Sequence, residues 1–148
     1  FKENSISGIV CQAVLEHTRD PKTVTEEIYR ILRKNGIIYA EVPFLQGYHP
    51  TPKDYYRFTL EGIKQLFSQF SQIDIGVSVG PSSTFSWISR EYLSGLITGY
   101  SEKKYARMIS LFLAGWLTFP LKYLDYIPAK KPGAYKIASG FYYFGKKE

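Results

Sequence analysis

Cysteine is almost missing from this chain. Cys11 stands alone, so no internal disulfide can form, and a reducing compartment is compatible with the composition. Its apolar neighbours Ile9 and Val10 mark it as a small core residue. Histidine is scarce as well. His17 and His49 lie far apart in sequence, and with one cysteine they make a poor ligand set, so no metal centre is expected. No signal-peptide pattern opens the chain, and it begins with Phe1 rather than Met, which points to a fragment. A membrane span needs about 20 apolar residues. The charge-free run Met108 to Leu121 is shorter than that and is interrupted by Gly115 and Pro120. A Gly-x-Gly turn between a strand and a helix is also lacking, because Gly76 and Gly80 fall in and after a strand pattern with the wrong flanks. No internal repeat or low-complexity segment appears.

Aromatic residues, by contrast, are abundant, with thirteen Tyr and ten Phe. Their burial can offset chain entropy, which argues against disorder. The net charge of +6 is lopsided. Residues 1–98 hold ten Lys/Arg and ten Asp/Glu, whereas residues 99–148 hold nine against three. A basic C-terminal part suits nucleic acid, anionic lipid or an acidic substrate; it equally suits a solubilising surface.

The elements follow from periodicity and caps. Ser7 to Val14 reads as a buried strand. Asp20 and Pro21 open a helix whose stripe is Val24, Ile28, Ile31 and Leu32. Arg30, Arg33 and Lys34 suit its C-terminal end, and Asn35-Gly36 suits its stop. Ile37 to Val42 is a second strand, which makes a parallel βαβ unit. The loop from Pro43 to Arg57 is long, and it lies at the edge where open α/β sheets bind ligands. Thr59 caps a helix with Ile63, Leu66, Phe67 and Phe70 on one face, and Ile73 to Val79 alternates as a half-buried strand. Residues 80–134 turn helical and aromatic. Ser101 suits the cap of a helix in which Tyr105, Met108, Ile109, Phe112 and Trp116 share a face, with core packing as that face's expected role. Tyr135 to Gly145 reads as a last strand.

Three stretches together resemble class I S-adenosylmethionine-dependent methyltransferases of the type 11 kind. They are Ala13-Val14-Leu15-Glu16-His17 leading to Asp20-Pro21, the helix end Lys34-Asn35-Gly36 before a strand, and His49-Pro50 followed by Asp54-Tyr55-Tyr56-Arg57-Phe58-Thr59. The second departs from the family's Pro-Gly-Gly but keeps the turn chemistry; the third resembles one subgroup. The resemblance implies an α/β, Rossmann-like methyltransferase fold of which this chain is the C-terminal half. Residues 1–148 would form one part-domain with strands four, five, seven and six in that order, the last strand antiparallel, and residues 80–134 as a helical insert. About 90 residues would be missing, at some 30 per βαβ unit. They would carry the glycine-rich loop and the ribose-binding acid. An antiparallel last strand would count against another Rossmann-like enzyme such as a dehydrogenase.

The same resemblance implies S-adenosylmethionine as cofactor, with its methionine part beside Gln12, Ala13 and Val14; ordinary strand-end packing is the equal alternative for these three. His17 is the candidate base, since its ordinary pKa suits proton removal near neutrality. The alternative is a histidine bonded to loop backbone. His49, Asp54, Tyr55 and Arg57 are candidates for the substrate pocket, while an Asp54–Arg57 loop clamp is the competing role. The acceptor would be a small molecule, a glycan or a lipid-linked group, with no nucleic acid, and the protein cytoplasmic. The basic aromatic insert adds a peripheral membrane contact, and a non-catalytic module that binds a membrane surface or a protein is the alternative function. The chain alone would be inactive, and its first strand would present an open edge.

Overall fold

The computed structural model describes residues 1–50, 52–101 and 103–148. These form two compact units, one of Phe1–Phe44, Tyr48–Ser78 and Gly140–Glu148, the other of Leu45–Gly47 and Val79–Ser139.

In the first unit, β1 (Ile6–Gln12), α1 (Pro21–Ile31), β2 (Leu32–Pro43), α2 (Leu60–Leu66), β3 (Ser71–Val79) and β4 (Gly140–Lys146) follow in chain order. The sheet order is β1-β2-β4-β3. β1 runs parallel to β2, and β4 runs antiparallel to β2. This is the order and orientation that the resemblance implies. The antiparallel β4 counts against the dehydrogenase alternative. Both helices sit on one face of the sheet, over Ile38, Ala40, Phe141 and Tyr143, all buried. Phe67 stacks on Tyr143 at 4.7 Å, and Tyr29 of α1 meets Phe70 edge-on at 5.0 Å. Cys11 is buried as expected, and burial pushes its thiol up to about 11. The opposite face carries Val10, Gln12, Tyr39, Glu41 and Tyr142, exposed or half-buried.

The start of α1 is as read from sequence: Asp20 Oδ1 accepts from the N–H groups of Lys22 and Thr23, and Pro21 fills the first position. Its end is not. The helix stops at Ile31, Leu32 is already extended, and Asn35 takes the left-handed region with φ 64° inside an irregular start of β2. Arg33 and Lys34 therefore lie outside the last turn. Arg30 stays in it, and a second cation joins from Lys147, just after β4, whose buried Nζ donates to the carbonyls of Tyr29 and Leu32 and to Asn4 Oδ1, at 2.7, 2.8 and 2.9 Å. A positive group at a helix C-terminus is what the macrodipole favours, and this one arrives from the far end of the chain. The last strand also begins later than expected, at Gly140, because residues Ala134–Ile137 form a 3-10 turn.

The second unit contains α3 (Pro81–Thr98), α4 (Lys104–Thr118) and a 3-10 segment over Phe119–Tyr126. Ser101 does not cap α4. Lys103 holds that position, and Ser101 Oγ accepts from its N–H instead. The cap of α3 is supplied from a distance: the Asp125 carboxylate accepts from Ser82 N and Ser83 N at 2.7 and 2.9 Å. Gly80 allows this approach, since a Cβ there would lie 2.5 Å from Asp125 Oδ1. Helix α3 ends on Gly99, with φ 60°. Between the helices the buried residues are small: Ser94, Gly95, Ser110, Ala114 and Thr118. Ser94 Oγ and Ser110 Oγ meet at 2.6 Å. Tyr105, Met108, Ile109, Phe112 and Trp116 do share a face of α4, but it is exposed rather than packed in a core.

Candidate functional site

The chain leaves β1 through a sharp turn. Ala13 is held in the left-handed region with φ 52°, its N–H donating to Glu41 O at 3.2 Å. A non-glycine residue there is uncommon and stores a small strain. The turn leaves Gln12, Ala13 and Val14 exposed at the carboxyl end of a parallel strand. Gln12 Nε2 donates to Glu41 Oε2 at 2.7 Å, and Tyr39 donates its hydroxyl to the other oxygen of that carboxylate. Burial, then this bond to Glu41, pushes the Tyr39 hydroxyl up to about 12.

A 3-10 turn over Leu15–His17 follows, and it sends Leu15 and Glu16 inward. The loop after β2 folds back onto this turn. Tyr55 N donates to Glu16 O at 2.7 Å, and the Tyr56 hydroxyl donates to Arg19 O at 2.9 Å. Arg19 Nε donates to the Tyr55 hydroxyl at 3.3 Å. His17 Nδ1 lies 2.7 Å from Lys53 O. A carbonyl only accepts, so Nδ1 carries the proton and neutral His17 keeps its lone pair on Nε2.

His49 comes to the same place. Its ring centroid is 5.4 Å from that of His17, edge-on. Both Nε2 atoms lie 3.8 Å from Glu16 Oε1, and the Glu16 side chain is only 1 % exposed. Glu16 Oε2 is buried without a hydrogen-bond partner among the described residues. Leaving such an oxygen unsatisfied costs about 1–3 kcal/mol, and a group of this kind marks a place where folding alone does not explain the arrangement.

Asp54 and Arg57 hold the loop. Arg57 Nη2 donates to Asp54 Oδ2 at 2.6 Å, Nη1 donates to Asp54 Oδ1 at 2.5 Å, and Asp54 Oδ2 also accepts from His49 N at 3.0 Å. This is the clamp, a bidentate pair whose carboxylate is 1 % exposed. The Arg57 guanidinium holds the Asp54 carboxyl down at about 2. A folded-state pKa below the ordinary carboxylate value stabilises at all pH above about 4, and that contribution is lost as pH falls through about 2. Its size is about 2 kcal/mol. Carbon-detected NMR of the Asp54 carboxyl should give a midpoint of about 2; a midpoint in the ordinary aspartate range would contradict the clamp.

Arg57 also sets the His49 tautomer. Its Nη2 lies 3.3 Å from His49 Nδ1. Guanidinium groups only donate, so Nδ1 accepts and a neutral His49 carries its proton on Nε2, facing Glu16. The two histidines thus present opposite characters to one carboxylate, an acceptor from His17 and a donor from His49. The two histidines, far apart in sequence, are brought together by the fold. Glu16, His17 and His49 each offer a ligand atom within 4.8 Å of the others, a carboxylate–imidazole set of the kind divalent transition metals take. Holding an ion through His49 Nε2 would require that ring to release the proton the Arg57 contact places there.

The expected site residues therefore divide. His17, His49, Asp54, Tyr55 and Arg57 converge around the turn after β1, whereas Gln12, Ala13 and Val14 form the strand end that leads into it. Glu16 is the residue that sequence reading passed over. It stood inside the Leu15-Glu16-His17 stretch, but its burial between two histidines depends on the loop's return.

Residues 1–40 match the family model for a methyltransferase domain. No curated protein matches the chain in sequence. Among solved structures, the Haemonchus contortus phosphoethanolamine N-methyltransferase 2 in complex with S-adenosyl-L-methionine aligns at a TM-score of 0.57 and 16% identity, over 99% of this chain and 34% of that one. A Thermotoga maritima S-adenosylmethionine-dependent methyltransferase, described as a possible histamine N-methyltransferase, aligns at 0.54 and 14%, over 99% and 58%. The [4+2]-cyclase SpnF aligns at 0.55 and 14%, over 99% and 52%. This chain spans between about a third and three-fifths of their lengths, and the presence of a cyclase shows that the fold does not fix the reaction. Over its first 40 residues the chain is similar to a methyltransferase domain, and its fold is that of the S-adenosylmethionine-dependent methyltransferases among these structures.

Proposed function

We propose that this chain supplies the acceptor-facing part of a methyl transfer from S-adenosylmethionine to a small-molecule, glycan or lipid-linked acceptor. The observation that carries this reading is the convergence of Glu16, His17 and His49 at the carboxyl end of β1, one residue-turn beyond the exposed strand end Gln12–Val14. The strand end fits the methionine part of the cofactor because the left-handed turn at Ala13 leaves Gln12, Ala13 and Val14 exposed. When bound, the cofactor supplies a methyl group on a positive sulfur, already a good leaving group.

What remains for the protein is positioning and the proton. His17 Nε2 is the free lone pair at the site, so it takes the proton from an acceptor O–H or N–H as that atom attacks. The resulting imidazolium lies beside the buried Glu16 carboxylate, 3.8 Å away, and is held by it. Lys53 O fixes the ring through Nδ1. His49, oriented by Arg57 and Asp54, donates toward Glu16 and shapes the acceptor's pocket. Tyr55 closes the loop over the turn.

Hydrogen exchange on the complete protein tests the placement. Adding S-adenosylhomocysteine should slow exchange in the peptide that contains Gln12 to His17 by about ten-fold or more, a local opening cost of over 1 kcal/mol. Unchanged exchange there, with binding demonstrated, would remove these residues from the cofactor's neighbourhood.

A further inference from the structure

We infer that the α3–α4 unit docks on an anionic phospholipid bilayer, with the outer face of α4 set into the interfacial layer. This inference does not depend on the methyl-transfer reading. The unit is built with its small residues inward and its large apolar residues outward. On α4, Ser110, Ala114 and Thr118 recur every fourth residue and are buried, whereas Phe112, Leu113, Trp116 and Leu117 are 56–72% exposed. On α3, Phe85, Ile88, Tyr92 and Leu96 form a second outward stripe, each about half exposed or more. In water the reverse arrangement is the rule, and a contiguous apolar surface of this kind marks an interaction site. In lipid, helices pack through small residues and hydroxyls because the solvent itself is apolar. The Ser94–Ser110 bond between the helices is of that type.

Charge selects the lipid. Residues 79–139 hold eight Lys/Arg and three Asp/Glu. Two of those acids are engaged inside the unit: Asp125 caps α3, and Glu91 lies 2.9 Å from Arg90 and 3.6 Å from Arg107. Lys103, Lys104 and Arg107 precede the charge-free run Met108–Leu121, and Lys122 follows it. Long cationic side chains at both ends of an apolar stretch reach headgroups while the stretch enters the acyl boundary. Lys122 Nζ lies 3.7 Å over the Phe119 ring, and Lys130 Nζ 5.6 Å over Tyr126, so cations and aromatics alternate along the surface. A groove of about 610 Å³, walled by Trp87, Phe112, Trp116 and Phe119, also has Arg90 and Lys122 in its lining. Aromatic walls with two cations suit an acyl chain ending in a phosphate. Among the described residues no helix is long and apolar enough to cross a membrane; the outward face of α4 fits one leaflet. A protein partner would cover one face; the outward residues of α4 occupy about half of its circumference, which a fluid solvent covers more readily than a second surface does.

Flotation of the complete protein tests this. It should float with vesicles of phosphatidylcholine and phosphatidylglycerol and stay behind with phosphatidylcholine alone. Each juxtamembrane lysine contributes about 1 kcal/mol, about five-fold. The triple variant Lys103→Gln, Lys104→Gln, Lys122→Gln should therefore bind about 100-fold more weakly with unchanged circular dichroism. Leu113→Ser with Trp116→Ser should lose binding as well. Absence of flotation would overturn the inference. So would equal binding by wild type and the triple variant, or a light-scattering dimer that the Leu113→Ser, Trp116→Ser variant breaks without any vesicle binding, which would make a second copy the occupant. Trp116 fluorescence in a Trp87→Phe variant that an aqueous quencher cannot reach even without lipid would assign the face to another part of the same chain.

Discussion

Replacing Arg57 with methionine is expected to destabilise the complete protein by about 3–5 kcal/mol, the cost of leaving a buried charge without its partner. Asp54 is 1 % exposed and receives both guanidinium nitrogens. Without them it must either stay charged in a dry site or take up a proton, and either outcome loosens the loop that carries His49. Arg57→Lys keeps the charge but not the fork, so it should recover only part of the loss. Combining Arg57→Met with Asp54→Asn removes the charge along with its partner and should recover more than half. Urea unfolding of the four proteins measures this. A loss below about 1 kcal/mol for Arg57→Met would show that the pair behaves as a surface ion pair and not as a clamp.

The second large effect is on catalysis. His17→Ala is expected to slow methyl transfer by about 10²- to 10⁴-fold, the usual contribution of a positioned general base, while cofactor affinity stays within about two-fold, because the proposed placement sets His17 against the acceptor and not the cofactor. Transfer of label from methyl-tritiated S-adenosylmethionine gives the rate. Glu16→Gln should cost less and should shift the pH profile, since Glu16 acts on the imidazolium and not on the acceptor. Rates for His17→Ala within about three-fold of wild type would leave His17 as the loop-bonding histidine that its contact with Lys53 O also makes it.

The central sheet was readable in the sequence because its signals are local. The Asp20-Pro21 cap, the Thr59 cap and the strand periods fix α1, α2 and the strands with small errors at the ends. Two helix ends, however, are completed by a distant residue. Lys147, not Arg33 or Lys34, supplies the second cation at the end of α1, and Asp125, not a neighbour, caps α3. No local window contains such partners. The site was half legible for the same reason. His17 and the His49-to-Arg57 stretch carry recognisable residue types, but the fold alone brings the two histidines to one buried carboxylate, and no local pattern marks Glu16 as that group. The helices after β3 misled in a different way. Periodicity located the apolar face of α4 but says nothing of which way it points, and in this unit the small residues won the interior.

Calorimetric titration of S-adenosylmethionine into the complete protein and into residues 1–148 alone is the sharpest test of cofactor binding. Saturable binding to the complete protein is expected, and affinity at least about 100-fold weaker for the 148-residue chain, in which β1 is an edge strand. Absence of detectable binding to the complete protein would contradict it, as would equal affinity for the two.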